Sequence, residues 1–142
     1  MSTRPGLFCA RLAAGVIVLV SAPALADAPT TARLSCRPEA GPGRVLCELE
    51  VEARSASLAW ADGLVVRSPE FASPLRSRVG KSQASAKTPT RLRLPIALAA
   101  TGTGQGTLEV AARWVVCQQN VGCFSGRTTT SAQVRVGAIA EP

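Results

Sequence analysis

From residue 44 to residue 53 the chain reads RVLCELEVEA, and apolar and polar positions alternate. Val45, Cys47, Leu49, Val51 and Ala53 take one parity; Arg44, Leu46, Glu48, Glu50 and Glu52 take the other. Successive side chains of an extended chain point to opposite faces, so this pattern predicts a half-buried strand with an acidic outer face. Residues 90–98 behave likewise, with Leu92, Leu94, Ile96 and Leu98 inward and Arg91, Arg93 and Pro95 outward. Pro95 has no N–H to donate, which points to an edge strand or a bulge. Residues 106–117 place Leu108, Val110, Ala112, Trp114 and Val116 on one side, and residues 128–136 do the same with Thr130, Ala132, Val134 and Val136. Shorter strands are expected at 56–60 and 64–67, flanking Asp62-Gly63, a dipeptide suited to tight hairpin turns. No stretch carries an apolar stripe at helical spacing.

Many short strands separated by Gly, Pro and Ser clusters predict an all-β protein, an immunoglobulin-like antiparallel β-sandwich. Residues 68–74 and 80–89 read as its long loops. There is no internal repeat, and a single domain is expected over residues 27–137 with a loose tail at 138–142.

The start of the chain reads as an address. Arg4 and Arg11 precede an apolar run at 12–20, and Pro23 and Ala24-Leu25-Ala26 then present the small residues of a cleavage site. The pattern predicts a secretory signal peptide over residues 1–26. The run is shorter than the roughly 20 apolar residues needed to cross a bilayer, and no later stretch is long enough either. The mature chain is thus expected to have no integral membrane segment and to be periplasmic or secreted. Cys9 leaves with the leader. Four cysteines then remain in an oxidising compartment, which implies two disulfides.

Composition narrows the chemistry. Of 142 residues, 46% are hydrophobic, and neither His nor Tyr occurs. A Ser-His-Asp triad, a Cys-His dyad, an HExxH zinc site and an imidazole pH switch are therefore excluded. The spacings Cys36-x10-Cys47 and Cys117-x5-Cys123 do not fit a zinc site, and no cofactor or metal is expected. The net charge is +7, and no acidic residue lies between Glu70 and Glu109, whereas Arg76, Arg78, Lys81, Lys87, Arg91 and Arg93 do. That window lacks the aromatics that stack on bases, so it reads as a solvated face and not as a nucleic-acid surface. The run Gly102-Thr103-Gly104-Gln105-Gly106 lacks the spacing and the following helix of a phosphate loop and reads as a connection. Trp60 and Trp114 are assigned to the core or its margin. Glu48, Glu50 and Glu52 are assigned to a solvated face with no counter-group.

The two cysteine pairs are not equivalent. Cys36 and Cys47 are symmetric about Gly41-Pro42-Gly43, and both share parity with apolar neighbours, so a core-facing structural disulfide is expected. Cys117 and Cys123 are symmetric about Asn120-Val121-Gly122, but Cys117 shares parity with Glu109 and Arg113. Its sulfur is expected on the outer face beside a short loop, where a thiolate can reach it. This pair is either a hairpin staple or an exchange centre.

Residues 107–136, TLEVAARWVVCQQNVGCFSGRTTTSAQVRV, resemble the N-terminal periplasmic domain of the thiol:disulfide interchange protein DsbD. That family has an immunoglobulin-like sandwich, and it carries a redox-active C-x5-C pair between two late strands with an aromatic residue directly after the second cysteine. The resemblance implies exchange at Cys117 and Cys123, with Phe124 as the shielding aromatic. It also implies a thioredoxin-like or membrane-embedded redox partner. The family's aromatic cap loop has no aligned counterpart, although Phe71 lies in a loop of suitable kind. On this reading Arg113 and Arg127 are the nearest cations in sequence to support a thiolate. The competing reading is a binding or accessory sandwich whose two disulfides are purely structural.

Overall fold

The computed structural model describes residues 30–137. The expected leader at 1–26 and tail at 138–142 lie outside the described residues. Among the described residues nine strands form two antiparallel sheets: β1 (Thr30–Cys36), β2 (Gly43–Ala53), β3 (Ser57–Arg67), β4 (Ala72–Pro74), β5 (Arg78–Gly80), β6 (Ala86–Lys87), β7 (Arg91–Ala100), β8 (Gly104–Gln118) and β9 (Gly122–Val136). One sheet runs β1-β2-β7-β4, with β6 also on β7; the other runs β5-β3-β8-β9. With β1, β2, β7 and β6 in one layer and β3, β8 and β9 in the other, this is the immunoglobulin-like sandwich expected from the alternation.

The core lies between the layers and is aliphatic. Val45, Leu49 and Val51 of β2 face Leu98, Leu94 and Leu92 of β7 in register, and all are buried. Leu108 and Val110 of β8 and Val134 of β9 close the core from the other sheet. The outward positions of β2 and β7 also match. Arg91 Nη2 lies 3.0 Å from Glu52 Oε2, Arg93 Nε lies 3.0 Å from Glu50 Oε2, and Glu48 is 3.8 Å from Arg93. The acidic face expected to lack a counter-group is thus paired across the sheet with the basic face of β7. At these exposures each pair contributes about 0.2–1 kcal/mol.

Pro95 sits within β7, yet it removes no ladder bond. The β7 carbonyls of Arg93 and Ala97 accept from Ser85 and Leu75, so the odd positions face β6 and β4. Pro95 falls between β6, which ends its pairing at Arg93, and β4, which begins at Leu98. The strand is locally an edge there. The loops expected at 68–74 and 80–89 contain β4 and β6, and each covers part of this flank.

The Asp62-Gly63 turn expected from the sequence is not formed. β3 runs unbroken through both residues, pairing Asp62 with Arg113 and Gly63 with Ala112 of β8. A Cβ on Gly63 would lie 2.7 Å from Leu49 Cδ2 of the opposite sheet. The glycine is therefore there for close approach of the layers and not for a turn. A register shift between Leu58 and Trp60 breaks the parity of β3. Leu58 faces the core opposite Val116, whereas Trp60 pairs with Val115 and leaves the core side. The expectation that Trp60 lies in the core or at its margin is corrected by this bulge. Trp114 does pack at the core margin, across Gly126.

A candidate exchange site at the β8–β9 hairpin

Among the described residues there are two intramolecular disulfides, Cys36–Cys47 and Cys117–Cys123, each with Cα atoms 4.0 Å apart. Both join residues directly opposite in adjacent antiparallel strands, in different sheets. Their surroundings differ. Cys36–Cys47 ties β1 to β2 near the pole where β1 ends, with Cys47 only 4% exposed beside Ile96 of β7 and Cys36 half-buried. Cys117–Cys123 sits at the opposite pole, where β8 turns into β9, with Cys117 half-buried and Cys123 exposed.

The turn explains how the second bridge is displayed. Gln118 pairs with Gly122, and Val121 N–H donates to the Gln118 carbonyl at 3.2 Å. Asn120 has φ of 64° at the third position of that turn, a conformation that Asn and Gly tolerate best. Gly122 follows with φ of 134°. The tip is thus three residues long and fully exposed, and Val121 projects from it at 67% exposure.

On the β3 side Cys117 is flanked by Ser57. On the other side no strand among the described residues pairs with β9 at Cys123, because β9 is the last strand of its sheet. A cross-strand S–S bond points across the strands, so the line beyond Cys123 Sγ leads into solvent and the line beyond Cys117 Sγ leads over the sheet. Phe124 pairs with Val116, whose side chain is buried, so the register turns Phe124 to the face opposite Cys123. It remains 44% exposed. Phe71 is at the far pole, against Gly104 and Gly106 at the start of β8.

Along the outer face of this sheet, Val115, Arg113 and Ala111 follow Cys117 on β8, and Ser125, Arg127 and Thr129 follow Cys123 on β9. Arg113 and Arg127 are directly opposite each other, four positions from the cysteines, or roughly 13 Å of strand rise. Arg113 is committed elsewhere. Its Nε donates to Asp62 Oδ1 at 2.9 Å and its Nη2 to Asp62 Oδ2, while Arg78 Nε donates to Oδ2 at 2.7 Å. The Asp62 carboxylate holds the Arg113 guanidinium above its ordinary pKa through these hydrogen bonds, with attraction between the charges adding to the effect. The guanidinium carbon also lies 5.6 Å from the centre of the Trp60 ring.

Asp62, Trp60 and Arg78 were not legible in the sequence as members of this site. The available signal was a single acidic residue inside the apolar run LAWADGLVV, which the Asp-Gly turn grammar masked. Among the described residues no group of His, Cys, Asp or Glu side chains is arranged to hold a metal, and no helix is long and apolar enough to cross a membrane. No protein-family model matches the chain, and no curated protein matches it.

Proposed function

We propose that the protein is an exported thiol–disulfide exchange module acting through Cys117 and Cys123. The observation that carries this reading is the exposure of Cys123 on the open edge of β9, set against the burial of Cys47. Exchange requires a thiolate to approach a sulfur along the S–S axis, and the outward line beyond Cys123 Sγ offers that path. The resemblance of residues 107–136 to the DsbD N-terminal domain supports the same pair.

The greater exposure of Cys123 supports giving it the attacking role. In the reduced protein the Cys123 thiolate attacks one sulfur of a partner disulfide, forming a mixed disulfide and releasing the partner's other sulfur as a thiolate, which takes up a proton. Cys117, deprotonated, then attacks Cys123 Sγ. The intramolecular bridge re-forms, the partner leaves with its second thiol, and two electrons have passed to it. The membrane-embedded or thioredoxin-like protein that re-reduces the bridge would attack Cys123 from the same open edge.

The identical 4.0 Å placement of the two bridges favours the second reading, a binding or accessory sandwich stapled twice. Trapping separates the two. Under the exchange reading, Cys117→Ser should accumulate a mixed disulfide with a small disulfide such as oxidised glutathione, because its resolving thiol is gone. Cys123→Ser should trap far less. Equal, slow trapping by both variants would support the stapled sandwich.

A further inference from the structure

Beside the exchange pair the outer face of the β3-β8-β9 sheet forms an open depression of about 400 Å³, lined by Trp60, Arg113, Trp114, Val115, Ser125, Gly126 and Arg127. We propose that it binds an acidic, extended segment of the exchange partner, with Arg127 receiving the carboxylate and Trp60 the adjoining chain. This rests on the exchange reading for the partner's identity but has its own geometry.

Charge comes first. One carboxylate, Asp62, neutralises one of the two guanidiniums it binds, those of Arg78 and Arg113. Arg127 adds another positive charge directly across from Arg113. β9 contains no acidic residue, and the only one on β8, Glu109, lies at the far end beside Arg67. Among the described residues Arg127 makes no ion pair, so the depression is a positive surface with an unmatched cation. A carboxylate brought to it gains a charge-assisted partner that the protein does not supply.

Shape comes second. The bulge in β3 turns Trp60 out of the core and leaves it half-buried on the outer face. The buried Asp62 fixes Arg113, and Arg113 in turn lies over the ring. This prearranged aromatic and cation pair forms one wall of the depression and Ser125 and Arg127 the other. Ring faces of this kind hold an extended chain at little conformational cost.

Register comes third. Cys123, Ser125 and Arg127 share one side of β9. A partner segment whose cysteine meets Cys123 and which runs along this face rises about 3.3 Å per residue, so a residue four positions from its cysteine reaches Arg127. The inference therefore specifies an acidic side chain about four residues from the reactive cysteine.

A thiol-free peptide tests this without exchange. Two decapeptides of alternating Thr and Val would carry Ser in place of the cysteine and, four residues on, either Glu or Gln. Each is titrated at low salt into the full, oxidised chain, following the two indole N–H resonances by NMR, with Trp60 assigned through Trp60→Phe. The Glu peptide should bind about fivefold more tightly than the Gln peptide and shift the Trp60 resonance, and Arg127→Gln should abolish the difference. Equal affinity for the two peptides, or a preference that survives Arg127→Gln, overturns the proposal. So does concentration-dependent movement of Trp60 without peptide, which would make a second copy of the chain the occupant. A protein that prefers the Glu peptide yet fails to trap a mixed disulfide would retain this site and lose the exchange reading.

Discussion

Asp62 is the one buried charged or polar side chain among the described residues, and it links two strands through Arg78 and Arg113. Its replacement by Asn removes the charge from three donor contacts. The two guanidiniums keep 59% and 35% of their side-chain surface exposed and can rehydrate. The expected loss is therefore about 1–3 kcal/mol, below that of a fully buried pair broken on one side. Urea unfolding of Asp62→Asn should show a lowered midpoint with an unchanged slope; an unchanged midpoint would mean that the cluster contributes nothing to the fold. Gly63 tests packing at the next position. Leu49 is fully buried and has little room to yield, so Gly63→Ala should cost about 1–3 kcal/mol by overpacking. If Gly63 were only a turn glycine, with no contact to the opposite sheet, the same substitution would be close to neutral.

The strands differ in how far their sequences announce them. β2 and β7 were plain, because strict alternation on both strands fixes one face, and pairing Val45 with Leu98 leaves Glu50 opposite Arg93. β3 was not. Its Asp-Gly dipeptide has the local chemistry of a turn, and only the opposite sheet, through Leu49 pressing on Gly63, and Arg113, 51 residues away, reveal a continuous strand. Trp60 was misplaced for a related reason: one extra residue in a bulge inverts parity, and nothing in the local sequence marks it. β9 began earlier than its alternation suggested, at Gly122 and not near Thr128, because from Cys123 to Thr129 every residue but the half-buried Gly126 is exposed and the segment gives no period. Both cysteine pairings followed from symmetry about their turns. The bridges should also differ energetically. By the chain-entropy relation the longer loop of Cys36–Cys47 gives about 3 kcal/mol and the shorter loop of Cys117–Cys123 about 2. Replacing both cysteines of the first pair by Ala should thus lower stability more than replacing both of the second, and burial of Cys47 widens the gap. The reverse order in denaturant titrations would place the second bridge among the main supports of the fold.

Across the whole molecule, the two bridges lie in different sheets and toward opposite poles, so one can open without disturbing the other. The less exposed bridge holds β1 onto the core, and the backbone bonds of Glu39 to Arg135 and Gly137 stitch the same pole across to β9. The exposed bridge crosslinks the next-to-last rung of a hairpin whose other rungs are independent of it. Parity foretold this contrast, since Cys117 fell on the polar side of its strand, but the open edge beyond Cys123 required the strand order. The most direct measurement is a glutathione redox titration of the wild-type chain, with free thiols alkylated and the modified cysteines identified by mass spectrometry while near-ultraviolet circular dichroism follows the fold. Cys117 and Cys123 should become labelled together at a potential above about −300 mV, with Cys36 and Cys47 unlabelled and the native spectrum retained. Labelling of all four cysteines together, or none until the fold is lost, would contradict the account.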